Sequence, residues 1–392
     1  MAGALDNLVV LDLSRVLAGP FATMMLADLG AEVTKVERPG TGDDTRGWGP
    51  PYDDGGQATY FLAANRNKRS VVLDFGDSGD LAEVRRLAAA ADVLVENFRP
   101  GFLDGIGLGY DDLRRENPGL VYCSISGFGR DLGSALPGYD MLVQALGGLM
   151  SITGEPGGEP QKVGVALVDV LAGLFATVGI LAALRHREST GEGQRVDIEL
   201  LTSLLAALVN QASAFTAAGV VPERMGNMHP SIAPYEVLTA RDGHLVVAVG
   251  NDRQFANLCE VLGAAGLASE ERFASNPARV EHRAELRAEL EALLATDDAS
   301  AWAAALTAAR VPAGTINDIA QAFGLARELG LEPTTTLRRE DGVDVELPRN
   351  PIGLSATPPS YRLAPPLMPG VAGSSGDDDQ HRGDEHVQRR QR

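Results

Sequence analysis

The chain has 392 residues, 44% hydrophobic and 22% charged, the profile of an ordinary folded enzyme and long enough for more than one domain. Its formal charge of −19 excludes the usual nucleic-acid reader, which needs clustered Lys and Arg to displace counterions, and the tail from Val371 to Arg392 adds almost nothing to it with five acids and four bases. Two cysteines, Cys123 and Cys259, make no disulfide framework and fit packed thiols in a reducing cytoplasm.

The N-terminus shows no basic stretch ahead of an apolar run, so no export signal is expected. The first 125 residues alternate β-branched runs with helical stretches, the pattern of βαβ units around a parallel sheet. Strands are predicted at Leu8–Leu13, Glu32–Glu37, Ser70–Phe75, Asp92–Glu96 and Leu120–Ser124, and helices near Gly19–Leu29, Gly79–Ala91 and Tyr110–Asn117. The segment from Arg38 to Asn67 is rich in Gly, Pro, Asp and Trp, and loops of that length inside compact domains are usually functional. Two apolar segments follow: Val163 to Leu184 has Asp169 as its one charge, and Leu200 to Ala218 has none. They are expected to be buried helices of a water-soluble protein and not a membrane hairpin, because an Asp within a span is costly.

A Pro-containing connector near Val220 marks a change of character. The expected fold is α/β, with a large Rossmann-like parallel-sheet domain over 1–220 and a smaller α+β domain over 221–335. A segment over 336–370 returns to the large domain, and a disordered tail occupies 371–392. Within the smaller domain Tyr235 to Gly250 reads as a hairpin turning at Arg241-Asp242-Gly243. Helices follow near Arg253–Leu262, Arg279–Leu294 and Ala299–Ala309, and strand and loop return from about Arg339.

Asp169 stands out chemically as the one ionisable group between Lys162 and Arg185. Burying a carboxylate there is costly unless donors, a charge partner or a catalytic role explains it, and the plain alternative is an N-cap. The two are compatible, since a helix N-terminus keeps a carboxylate ionised. A dinucleotide fingerprint is missing: Leu13 to Gly30 offers only Gly19 and Gly30, so no nicotinamide cofactor is expected. The six histidines are scattered, two of them (His381 and His386) in the tail, and no H-E-x-x-H, C-x-x-C or G-x-S-x-G occurs, so neither a metal nor a hydrolase triad is expected. Basic residues near strand ends, Arg38, Arg66, Lys68, Arg69 and Arg99, form a candidate rim for a polyanionic ligand.

The ordered stretches RVLAGPFATMMLADLGAEVTKVERPGTGDDTRGWGPP, NRNKRSVVLDF, VENFRPG, LGYDDL, GYDMLVQALGGLMSITG, VGVALVDVLAGLFA and TGEGQRVDIELL resemble the class III coenzyme A transferases, which include the α-methylacyl-CoA racemases. VLAGPFATM, HPSIAPYE and GNDRQFA resemble the dicarboxylate type, exemplified by succinate–hydroxymethylglutarate CoA-transferase. The resemblance implies an interlocked, ring-like homodimer that uses acyl-CoA and a carboxylic acid as substrates, with Asp169 as nucleophile. It implies a coenzyme A site lined by Val16, Leu17, Ala18, Arg38, Leu73, Asn97, Phe98, Arg99 and Tyr139, and substrate contacts from Arg66 and Gly250. The family's glycine-rich loop maps onto Gly250, where this chain continues with Asn251. Racemases of the family carry a G-H-D motif. Here it is Gly138-Tyr139-Asp140, and a tyrosine with an ordinary pKa of about 10 is a poor proton shuttle, which favours transfer over racemisation. A coenzyme A-binding protein without catalysis is the remaining alternative.

Overall fold

A computed structural model describes residues 3–369; the tail assigned to 371–392 lies outside them. The chain divides into two compact units, one built from 3–138, 168–203 and 334–369, the other from Tyr139–Leu167 and Leu204–Pro333.

The first unit holds a six-stranded sheet of β1 (Val9–Asp12), β2 (Glu32–Glu37), β3 (Lys68–Val72), β4 (Val93–Glu96), β5 (Val121–Ser126) and β6 (Arg195–Glu199). Every pairing is parallel and the order is β3-β2-β1-β4-β5-β6. The order reverses between β1 and β4, and ligands of open α/β sheets bind beyond the carboxyl ends of strands at such a switch point. All four residues of β4 are buried, as expected of a central strand covered on both faces.

Helix α1 (Ala18–Asp28) follows β1 and is buried along nearly its whole length. Gly19 is required there, because a Cβ would lie 2.2 Å from the Ser14 hydroxyl. Helix α2 (Ser78–Ala90) starts on an Asp77 cap that accepts from the Gly79 and Asp80 N–H groups. An antiparallel pair, Thr334–Arg338 with Asp344–Pro348, belongs to the same unit.

The third strand begins two residues before its predicted start, and β6 went unpredicted. The apolar segment predicted as one helix over Leu200 to Ala218 is two, Leu200–Ala207 and Val209–Ala218, bent by 86° at Leu208. The second unit carries an antiparallel sheet of Tyr235–Thr239, His244–Ala248 and Ala313–Thr315. Its core packs Leu238, Val247, Phe255, Phe273, Leu286 and Leu290, all nearly inaccessible.

Candidate active site

A cavity of about 140 Å³ opens at the carboxyl ends of β1 to β4, lined by Leu13, Arg15, Val36, Glu37, Arg38, Leu73, Asp74, Phe75 and Phe98. Its walls are aromatic and aliphatic, with two bases, Arg15 and Arg38, and two acids, Glu37 and Asp74, among its polar groups. Arg15 sits 4.9 Å from the centre of the Phe98 ring. Phe98, Phe75 and Phe102 form an aromatic cluster with centroids 5.1 to 6.4 Å apart. Arg38 is exposed, its guanidinium held by Thr41 at 2.6 Å and Asp44 at 2.5 Å.

Arg38, Leu73 and Phe98, expected on the coenzyme A site, are therefore gathered at one cavity. Val16, Leu17 and Ala18 form the turn leading from β1 into α1. Val16 has φ 68°, a left-handed conformation that a β-branched residue enters only under constraint. Leu17 is the N-cap of α1, and no side chain caps that helix. Asn97 is turned to the same loop: its Oδ1 accepts from the Arg15 N–H at 2.8 Å and its Nδ2 donates to the Arg15 carbonyl at 2.7 Å. Its amide thus shapes the turn. Arg99 is exposed just beyond β4.

Arg66 departs from its expectation. It is 3% exposed and lies just before β3, at the amino edge of the sheet. Its Nε and Nη2 grip the Asp28 carboxylate, and its Nη1 donates to the Pro348 carbonyl at 3.0 Å. With its N–H fork so engaged it ties α1 to the Asp344–Pro348 strand and presents no charge to a substrate. Lys68 is likewise no rim residue: its ammonium is buried on Asp12 at 3.0 Å, with Pro20 O and Asn65 Oδ1 completing its bonds.

Asp169 is the third residue of the long helix Leu167–Thr190, so it stands inside the first turn and does not cap it. It is buried, on the same face as Gly173 and Thr177. Gly173 marks a close crossing, for a Cβ there would lie 2.7 Å from the Ala18 carbonyl and 3.2 Å from the Phe21 ring. Asp169 precedes that crossing by one turn, about 6 Å of helix axis, on the face turned to the start of α1. Tyr139 and Gly250 belong to the second unit. Both are exposed: Tyr139 is the N-cap of Asp140–Leu146, and the Gly250 N–H donates to Gln254 Oε1 at 2.8 Å.

Beneath the cavity lies a charge nest that sequence reading missed. Asp12 accepts from Ser14 and Thr23 and pairs with Lys68. Burial alone would raise its carboxyl, but Lys68 and Lys35 hold it at about 2. Burial brings the Lys68 ammonium down to about 8 despite Asp12. Lys35 pairs with Asp43 at 2.8 Å with both side chains inaccessible, and Glu37 is clasped by Arg46 and Ser70. The one available signal was charge set inside β-branched runs, Asp12 at the end of β1 and Lys35 and Glu37 along β2. Among the described residues no group of three or more His, Cys, Asp or Glu is placed to hold a metal ion.

A parallel sheet with a charged, aromatic cavity at its switch point and a buried carboxylate beside a helix start has the build of an α/β enzyme. The family model for CoA-transferase family III matches residues 5–370, and the chain belongs to that family and is a CoA-transferase. It is 44% identical to the succinate–glutarate CoA-transferase of Agrobacterium fabrum over 93% of this chain and 92% of that one. It is 40% identical to the succinyl-CoA:glutarate CoA-transferase of Mus musculus over 93% and 84%. A crystal structure of a CAIB/BAIF family protein from Brucella suis superposes with a TM-score of 0.83 at 44% identity, covering 94% of this chain and 97% of that one.

Proposed function

We propose that this enzyme moves coenzyme A from a dicarboxylic acyl-CoA, such as succinyl-CoA, to a second carboxylic acid through a thioester on Asp169. The supporting observation is a buried carboxylate one turn from the contact between its helix and the uncapped start of α1. The names of the relatives, which act on succinate, succinyl-CoA and glutarate, favour dicarboxylates. Arg38 and Arg15 supply the charge, and Leu73, Phe75 and Phe98 the apolar wall, that a nucleotide thiol needs.

In this mechanism an Asp169 oxygen attacks the donor thioester carbonyl. The C–S bond breaks, giving a mixed anhydride and the coenzyme A thiolate. The thiolate attacks the aspartyl carbonyl and expels the donor acid as its carboxylate, leaving an aspartyl-CoA thioester. The acceptor carboxylate attacks that thioester and releases the thiolate, which then attacks the acceptor acyl carbon and frees Asp169. No net proton is consumed, and the thioester energy is retained. The free N–H groups at the start of α1 stabilise the oxyanions.

Two compact units form the large and small domains of each subunit, and two subunits interlock as a homodimer in the cytoplasm. The helix Leu167–Thr190 contains an 18-residue stretch with a mean hydropathy of 2.3, and is long and apolar enough to cross a membrane. It leaves Leu174, Phe175 and Val178 exposed. A second copy covers that face in our reading, which a sedimentation experiment checks: a detergent-free monomer would refute it.

Asp169→Ala is expected to abolish exchange between succinyl-CoA and dicarboxylic acids while leaving coenzyme A binding intact. Hydroxylamine trapping of the wild type should capture an acyl adduct on Asp169. Exchange at even a few per cent of wild type in the variant would refute the role.

A further inference from the structure

The turn Ser14–Leu17 is held by side chains at three successive residues. Lys35 Nζ donates to the Ser14 carbonyl at 2.8 Å. Asn97 brackets both polar groups of Arg15. The Val16 N–H donates to Asp43 Oδ1 at 3.3 Å. Val16 itself is one of two β-branched residues, with Val209, that take positive φ among the described residues. Such strain persists only where the surroundings over-determine it.

Lys35 and Asp43 are also bonded to each other at 2.8 Å with no side-chain exposure. Asp43 is fixed independently, accepting from Thr45 N and Oγ1 at 3.0 and 2.8 Å, while its own N–H donates to Glu37 Oε2 at 2.8 Å. A buried ion pair seldom stabilises a fold more than apolar residues of the same volume would, so its stability contribution does not explain its presence. Its two members reach the residues on either side of Arg15.

We infer that the buried Lys35–Asp43 pair is a positioning clamp that keeps Val16 left-handed and so preorganises both the coenzyme A rim and the start of α1. Neither residue touches substrate. The effect on coenzyme A rests on the function proposed above; the effect on the turn does not.

Lys35→Met with Asp43→Asn removes both charges together and leaves no uncompensated ion between them. Hydrogen exchange read by mass spectrometry should then show amides within 13–19 exchanging at least tenfold faster, with peptides from β4 and β5 unchanged. Coenzyme A should bind about tenfold more weakly in titration calorimetry. Adding Val16→Gly should recover part of the lost affinity, because glycine enters the left-handed region unaided. Asp43→Asn alone, which keeps the shape of the side chain, should give the same exchange signature at smaller amplitude and serves if the double variant does not fold. Unchanged exchange at 13–19, or a rise spread equally over the sheet, overturns the clamp. Failure of glycine to recover any affinity overturns its action through Val16. A wild type that does not bind coenzyme A would strike the proposed function, and the exchange pattern would still decide the clamp.

Discussion

The two units bury different things. In the first, Asp12, Asp28, Lys35, Glu37, Asp43, Arg66 and Lys68 are all nearly inaccessible and held in ion pairs. In the second, a core of Leu, Val and Phe is accompanied by Arg279, which stacks over Phe255 and bonds two backbone carbonyls and Asp252, and by Glu236 on Arg287. Apolar packing is enough to specify a sheet with covering helices. Ionised groups cost desolvation, and what they provide in return is direction: each fixes particular backbone groups at particular angles. The unit that carries the cavity is the one that needs such direction.

Removing one charge from the first unit should therefore have the largest effect. Arg66→Ala leaves the Asp28 carboxylate with only the Asn67 and Asn350 amides, and should cost about 3–5 kcal/mol in denaturant unfolding. A loss below about 1 kcal/mol would break the contrast. Phe273→Ala in the second unit deletes a fully buried ring and should cost about 3–4 kcal/mol through the cavity it leaves. The molecule has two tryptophans, Trp48 in the first unit and Trp302 in the second, so Trp→Phe variants at either position report the units separately.

This contrast sets what could be read in advance. The alternation of β-branched runs and helices gave away the parallel sheet, and five of its six strands were placed to within three residues. The solitary charge of Asp169 foretold its burial. β6, Arg-Val-Asp-Ile-Glu, alternates charged with apolar residues, the period-two mark of a half-buried strand, so its signal was present in the sequence but is short and follows directly on a long apolar helix. The break at Leu208 was invisible because no Pro or Gly marks it, and it is made by Val209 at φ 41°. Arg66 and Lys68 were misread for one physical reason: a cation's destination depends on its partner. Asp28 is 38 residues from Arg66, and Asp12 is 56 from Lys68. Nothing local distinguishes a lysine that will be buried on a distant aspartate from one that will face a ligand.

Acid sharpens the comparison at an intermediate scale. Burial would push the Asp12 carboxyl up, but Lys68 and Lys35 hold it at about 2, below its ordinary 3.8. A depressed carboxyl contributes stability that is complete above its unfolded pKa and lost as pH falls through the folded one. Glu37 and Asp43 are lowered too, against their burial, by Arg46 and Lys35. Glu236 of the second unit goes the other way, burial raising it in spite of Arg287, so acid relieves a cost there. Unfolding followed at Trp48 should stay level down to about pH 4 and weaken steeply towards pH 2, while the Trp302 signal declines less over that window. Equal declines would remove the charge nest as the source of acid sensitivity.

The smallest change in stability, and the most selective in function, belongs to the rim. Arg38 is largely solvated, and its contact with Asp44 is of the exposed kind that contributes little. Arg38→Met should shift unfolding by less than about 0.5 kcal/mol. The same side chain stands at the mouth of the cavity beside Leu73 and Phe98, where one lost phosphate contact corresponds to about 1.4 kcal/mol, or tenfold in KM for the acyl-CoA. The acceptor acid, which carries no nucleotide, should keep its KM. If both KM values rise together, Arg38 acts on the turn and not on the nucleotide. An unchanged KM for acyl-CoA would mean that Asp44 already satisfies this cation and that Arg15, on the ring of Phe98, holds the anionic end instead.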